Sequence, residues 1–160
     1  MNVREEILQA YVQSRAAMTA HLEEIDKNRK IYPLWTIREI IAHLSGWDDA
    51  SFGMLTALIK GETPHTPAMR GATVYNEETV STREGLSYDH ILREYMSTRE
   101  RLLDLVRSAP EEVLTQITTL PWGDESSFEI MAKFLASHEL EHAEDVRKLI
   151  EEGSQEQRQS

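Results

Sequence analysis

Apolar residues recur at helical spacing through most of the chain. Within residues 3–25 they fall three, four or seven positions apart, which is the stripe of an amphipathic helix. A second helix is predicted after Pro33, because Thr36 suits the N-cap and Glu39 completes a capping box. Its pattern continues to about Lys60, so the first third of the chain is expected to hold two long helices.

The second half of the chain has the same character. Ser87 is expected to cap a third long helix, and Ser126 with Glu129 forms a capping box that opens a fourth. Gly153 is expected to end this last helix. Residues 153–160 would then form a frayed polar tail.

Loops and short elements are predicted between the long helices. Residues 61–72 contain two prolines and two glycines, which indicates a long loop that can cover a site. Short helices are predicted at 73–84 and 110–114, and residues 115–125 are irregular with one strand-like stretch. Four long amphipathic helices favour an all-α, up-and-down four-helix bundle, here a single domain over residues 1–152.

The charge balance narrows the choice of partners. The chain has 17 Lys or Arg and 28 Asp or Glu, a net charge of −11, which argues against nucleic acid and anionic membranes as partners. Cysteine is absent, so disulfides, thiolate metal sites and a cysteine nucleophile are excluded. No apolar run is long enough to span a bilayer, and the N-terminal sequence does not resemble a signal peptide, so a cytoplasmic protein is expected.

Two histidines in the last predicted helix carry the strongest chemical signal. His138 and His142 are four residues apart, so both imidazoles can reach one metal ion from the same helix face. Both lie on the apolar stripe, and Glu139 between them completes an HExxH pattern. The alternative is a pair of buried histidines that bind no metal.

His43, on the second helix, is the natural third ligand. It borders the apolar stripe of that helix, and facing helices of a bundle bring their inward residues together. A three-histidine site leaves a fourth position for water or substrate. The alternative for His43 alone is a core residue. The other three histidines are expected to lie outside the site: His21, His65 and His90.

Acidic residues near the histidine pair are weaker candidates. Asp145 lies about 40° from the pair around the helix and is a candidate to hold an imidazole N–H. Glu139 is a candidate catalytic base, and Glu141 is its counterpart on the other side, each about 80° from the pair. For all three, the alternative is a solvated acidic face.

A zinc protease is the least favoured interpretation of the HExxH pattern. The metzincin continuation would need Gly and His where this chain has Asp145 and Lys148. Only 18 residues follow His142, which leaves little room for a later ligand.

Other polar and aromatic residues are given structural roles. Trp35, Trp47 and Trp122 are expected to anchor the core, with a cleft mouth as the alternative for Trp122. Asn76 is expected to cap or bond locally.

Three segments resemble the DinB/YfiT-like four-helix bundles, and most of all the branch that includes the ClbS/DfsB self-protection proteins. They are WTIREIIAHLSGWD, VYNEETVSTREGLSYDHILREY and LPWGDESSFEIMAKFLASHELEHAEDVRKLI. The most specific matches are His43 followed by Trp47, and His138 with His142 ahead of Asp145.

The resemblance implies a function as well as a fold. It implies that His43, His138 and His142 hold a divalent ion, zinc or nickel. Several relatives transfer low-molecular-weight thiols such as bacillithiol or mycothiol, others are hydrolases or isomerases, and homodimers are frequent. A metal-dependent hydrolase or thiol S-transferase acting on a small electrophile is therefore expected. The alternative is a non-catalytic, metal-free bundle that binds a small molecule or a protein.

Overall fold

Short polar side chains determine where three of the long helices begin. The Asn2 carboxamide and the Ser87 and Ser127 hydroxyls each accept a hydrogen bond from a backbone N–H three residues later. The Thr36 backbone N–H instead donates to the Glu39 carboxylate, 3.1 Å away, as the predicted capping box requires. These contacts satisfy N–H groups that have no partner inside the helix.

The computed structural model describes residues 1–159. Its helices are α1 (Val3–Thr19), α2 (Ile37–Ile59), α3 (Ala72–Ser81), α4 (Tyr88–Ser108), α5 (Glu111–Thr115) and α6 (Phe128–Gln159), with a 3-10 turn at Pro67–Arg70. The strands β1 (Thr118–Thr119) and β2 (Glu125–Ser126) form a small antiparallel pair. The predicted all-α four-helix bundle is confirmed.

The four long helices form a ring in which α1 packs against α6 and α4, and α2 packs against α4 and α6. Residues near the start of α1 share one apolar cluster with the start of α6 and with the ends of α2 and α4. Helices α1 and α6 therefore run in one direction, and α2 and α4 run in the other. The long connection between α2 and α4, which contains α3, allows this up-down-down-up order, so the helices do not alternate up and down as the sequence led us to expect.

Two apolar clusters fill the ends of the bundle, and a charged layer separates them. One cluster contains Ile7 and Phe128, and the other contains Met18 and Val146. Between them along the helices lie four buried charged residues, which we call the charged layer: Arg15, Asp48, Arg99 and Glu139.

Two predicted helix boundaries are wrong at C-terminal ends. Helix α1 ends at Thr19, and residues 20–25 form turns in which Leu22 and Ile25 remain buried, so the apolar spacing continues beyond the helix. Helix α6 continues through Gly153 to Gln159. A glycine stop requires the left-handed conformation, which Gly153 does not adopt.

The start of α6 is also shifted from its prediction. Its capping hydroxyl belongs to Ser127, whereas Ser126 pairs with Thr118 in the small sheet. The strand-like stretch noted in the sequence corresponds to β1. Within residues 1–159, none of the helices has an apolar stretch sufficient to cross a lipid bilayer.

Candidate metal centre

Three histidines from two facing helices converge on one point, and we call them the histidine cluster: His43, His138 and His142. Helix α2 supplies His43, and α6 supplies the other two from consecutive turns. One nitrogen of each ring lies within 4.8 Å of a nitrogen of each of the others. The ring centroids of His138 and His142 are 4.3 Å apart, and that of His43 is 5.5 Å from His138.

Two nitrogens of the histidine cluster are buried without a hydrogen-bond partner. Among the described residues, none bonds to Nδ1 of His43 or to Nε2 of His142. His43 is 2 % exposed and His142 is 8 % exposed. Buried polar atoms are nearly always paired, so these two atoms are available to a ligand from outside the chain. A divalent metal ion fits, because neutral imidazole is a good ligand for such ions.

The surroundings keep these imidazoles neutral. Burial, together with repulsion from the other two histidines, lowers the pKa of His43 to about 3. Burial and the neighbouring His138 lower the pKa of His142 to about 4. The pKa of His138 is lowered too, mainly by burial. All three rings therefore keep their lone pairs available at neutral pH, which metal ligation needs.

The orientation of His142 is held by a tyrosine and an aspartate. The Tyr32 hydroxyl lies 2.6 Å from Oδ2 of Asp145 and 2.7 Å from Nδ1 of His142. The carboxylate can only accept, so the hydroxyl donates to Asp145 and accepts from the Nδ1–H of His142. This arrangement leaves the Nε2 lone pair of His142 free to face His43 and His138.

Sequence reasoning found Asp145 but missed Tyr32. The predicted role of Asp145 was to hold an imidazole N–H itself, whereas the structure places the Tyr32 hydroxyl between the two groups. Tyr32 lies in a turn closed by a bridge to Trp35, where no helical periodicity indicates which way a side chain points. Burial and the bond to Asp145 raise the pKa of Tyr32 well above its usual value, so the phenol stays protonated.

Glu139 lies away from the histidine cluster, in the charged layer. Its Oε1 accepts from Nε of Arg15 at 2.9 Å, and its Oε2 accepts from Nη2 of Arg99 at 3.2 Å. Both guanidinium groups also bind Asp48. The alternative of a solvated face is wrong for Glu139, which is 0 % exposed, whereas Glu141 is exposed as expected. Adjacent residues of a helix point about 100° apart, so the neighbours His138 and Glu139 face different sites.

An aromatic cavity of about 290 Å³ adjoins the histidine cluster. His43 and His138 form one side of it, and Trp47, Trp122 and Phe134 form much of the rest. The Trp122 ring lies between the other two aromatic rings, with centroid distances of 5.8 Å to each. Trp122 thus lines a cleft, the alternative that the sequence left open, and Trp47 contributes to it as well as to packing.

A close helix contact positions Asn76 at this cavity. A Cβ on Gly46 would overlap the Thr79 side chain, so the glycine lets α3 approach α2. The Asn76 Oδ1 accepts a 2.7 Å hydrogen bond from Nε1 of Trp47. The local capping role expected for Asn76 is wrong, because its side chain reaches across to α2. The remaining histidines lie outside the cluster: His21, His65 and His90.

The sequence model of the DinB superfamily matches residues 10–146. This chain belongs to the DinB superfamily. The resemblance seen in the sequence is therefore confirmed at the level of the family. Comparison with functionally curated protein sequences gave no match.

Solved structures of DinB-like bundles resemble the chain along most of its length. A mycothiol-dependent maleylpyruvate isomerase is 16% identical with a TM-score of 0.76, over 91% of this chain and 61% of that protein. The chain thus spans less than two thirds of that isomerase. DfsB, described as a sibling lethal factor precursor, is 19% identical with a TM-score of 0.76, over 96% of this chain and 98% of its own.

The colibactin self-resistance protein ClbS is a third similar structure. It is 18% identical with a TM-score of 0.73, over 91% of this chain and 94% of its own, and it was solved with double-stranded DNA. The charge of −11 argues against nucleic acid as a partner of this DinB-like chain. That expectation remains a prediction, because likeness at this identity shows the fold alone.

Proposed function

We propose that this protein binds one divalent metal ion through His43, His138 and His142 and acts on a small molecule held in the adjoining aromatic cavity. The observation that carries the proposal is the pair of buried, unpartnered nitrogens in a cluster of three neutral imidazoles. Zinc and nickel are the expected ions, since imidazole suits both.

A metal ion with three histidine ligands keeps an open position and, when bound, supplies Lewis-acid polarisation of a water, a thiol or a substrate oxygen. The chain's own residues supply orientation and an aromatic wall. Tyr32 and Asp145 hold the tautomer of His142. Trp47 and Trp122 line the cavity beside the cluster.

For the reaction we propose hydrolysis of a small electrophile or transfer of a low-molecular-weight thiol onto it. Support for the thiol comes from a DinB-like neighbour whose name makes it mycothiol-dependent. Fold similarity does not by itself assign chemistry. We propose no proton-transfer role for Glu139, because both of its carboxylate oxygens accept from arginine side chains. A cytoplasmic location and a homodimer remain predictions.

Metal analysis of untagged protein tests the proposal. We expect one equivalent of zinc or nickel in the wild type and none in His142→Ala, with helicity retained because the bundle has its own apolar core. His90→Ala is the matched control, since it removes an exposed histidine outside the cluster and should keep its metal. Equal metal content in His142→Ala and His90→Ala would overturn the proposal.

A chelator gives a second, independent measurement. EDTA should lower the melting temperature of the metal-loaded wild type at pH 7.5, because only the folded state assembles the three ligands. At pH 5 the effect should persist, because His43 and His142, with pKa values of about 3 and about 4, are still neutral in the folded protein.

The aromatic cavity favours one alternative function, a metal-free protein that binds a small molecule. Its walls are mainly aromatic and apolar side chains, and its volume is near the lower end of the usual range for small-molecule sites. Under this alternative, protein shown to be free of metal would bind its ligand with full affinity, and EDTA would leave melting unchanged.

A further inference from the structure

The walls of the aromatic cavity carry no formal charge from acidic or basic side chains. Among residues 1–159, those that line it include neither lysine nor arginine, and neither aspartate nor glutamate. Besides the two histidines, its only polar side chains are the Asn76 amide and the Trp122 indole, together with that of Trp47, which donates to Asn76.

The nearest buried cations are fully occupied elsewhere. Arg15 and Arg99 are 6% and 4% exposed, and their guanidinium groups bind the carboxylates of Asp48 and Glu139. Two positive and two negative charges cancel within this charged layer. An anion in the aromatic cavity would therefore have no ion-pair partner from the chain, and the overall charge of −11 would oppose its entry.

The shape and chemistry of the walls favour a flat apolar group. Three aromatic rings meet in edge-on or tilted contacts around the cavity, and the exposed ring of Phe134 stands at its edge. Aromatic faces and edges bind other unsaturated rings through area burial and quadrupole complementarity. The Asn76 amide, whose Oδ1 accepts from Trp47, gives this wall an uncharged hydrogen-bonding group.

We infer that the walls of the aromatic cavity bind the flat, uncharged aromatic or conjugated portion of a molecule and by themselves discriminate against a carboxylate. This rests on the proposed function in taking the cavity as the substrate subsite. It goes further in naming the class of substrate: an unsaturated electrophile whose flat, uncharged portion lies against the aromatic walls and whose reactive atom lies beside the histidine cluster.

A matched pair of probes tests the inference directly: naphthalene-2-carboxamide and naphthalene-2-carboxylate. Both are titrated by ligand-observed NMR into protein treated with EDTA at pH 7.5. Removing the metal prevents the carboxylate from binding as a metal ligand, and it separates this test from the test of the metal site. We expect the amide to bind at least about tenfold more tightly, because a desolvated anion without a partner is costly.

Two variants test whether the amide probe binds in the aromatic cavity. Trp122→Ala should lower the affinity for the amide about five- to tenfold, because one aromatic contact is lost. Ile130→Ala is the control, since Ile130 is exposed on α6 and does not line the cavity. It should leave the affinity unchanged.

A third variant tests the role of charge. Ala72 is exposed at the cavity's edge, so Ala72→Lys places a cation there without disturbing the core. It should raise the affinity for the carboxylate several-fold and leave that for the amide nearly unchanged. Equal or tighter binding of the carboxylate by the wild type, or no amide binding at all, would overturn the inference, and so would equal effects of Trp122→Ala and Ile130→Ala.

Discussion

The bundle contains two buried polar clusters, the charged layer and the histidine cluster, and they differ in how completely their polar atoms are paired. In the charged layer, each carboxylate binds both arginines. In the histidine cluster, a nitrogen of His43 and a nitrogen of His142 have no partner among the described residues. Burial alone would not distinguish the two clusters, because His43 and His142 are nearly as inaccessible to solvent as the charged layer.

The difference separates a structural cluster from a binding site. A charged layer whose groups satisfy one another needs nothing from outside and holds the helices in one register. A cluster of neutral imidazoles with free lone pairs has unpaired nitrogen atoms that can bind an external ligand. Glu139 and His138 are neighbours in sequence, yet they belong to different clusters.

The largest expected effect comes from breaking the charged layer. Glu139→Ala leaves two buried arginines with a single carboxylate, which should lower the free energy of unfolding by about 3–5 kcal/mol. Chemical denaturation measures this. Glu141→Ala, on the exposed face of the same helix, is the control and should change stability by less than about 0.5 kcal/mol.

A similar loss in both variants would show that the charged layer is not structural. If Glu139→Ala does not fold, Glu139→Gln keeps the shape of the side chain. It should still be less stable than Glu141→Gln.

The second prediction concerns the pH dependence of metal-free protein. The folded pKa values of His43 and His142 are depressed to about 3 and about 4, while unfolded histidine titrates near 6.5. Below about pH 6.5 these histidines become protonated in the unfolded state but stay neutral in the folded state, so the free energy of unfolding falls as the pH falls. Between pH 7.5 and pH 5.5 the two residues together should lower the free energy of unfolding by about 2–3 kcal/mol.

Denaturation in EDTA at several pH values measures this slope. His142→Ala should remove about half of the histidine contribution, and His90→Ala should remove none. A slope that is identical in wild type and His142→Ala would contradict the assignment.

The smallest predicted effect concerns Tyr32, which holds His142 of the histidine cluster in place. Tyr32→Phe removes the hydroxyl that joins Asp145 to His142, so it should weaken metal affinity about 10- to 100-fold without abolishing binding. Competition with a chromogenic chelator gives the affinity. Tyr88→Phe also loses a buried hydroxyl, but one without a hydrogen-bond partner, so it should bind metal as the wild type does.

Local sequence patterns predicted where helices begin better than where they end. The Thr36 and Ser87 starts were predictable because a cap depends on residues only three positions apart. The ends at Thr19 and Gln159 were not. The apolar spacing of Leu22 and Ile25 persists in turns, and Gly153 remains in the helix.

The candidate site was predicted in part. Residues four apart on one helix must share a face, so His138 and His142 could be paired from sequence, and the inward stripe of α2 indicated His43. The same rule left Glu139 undecided. At about 80° from the pair, its side chain could lie in solvent, beside a metal or in the core. The hydrogen bonds from Arg15 and Arg99, which come from other helices, place it in the core.

The sequence by itself determined the four amphipathic helices, the acidic charge and three histidines on inward faces, because these depend on residue identity and on spacing within a single helix. Tertiary structure alone decided the order of the helices and the partner of each buried polar group. It placed the Tyr32 hydroxyl between His142 and Asp145, 110 positions away from His142 in sequence. It also placed Asn76 against Trp47, through the space that Gly46 leaves for α3. Such contacts join distant segments, so they depend on how whole helices pack, which no local spacing records.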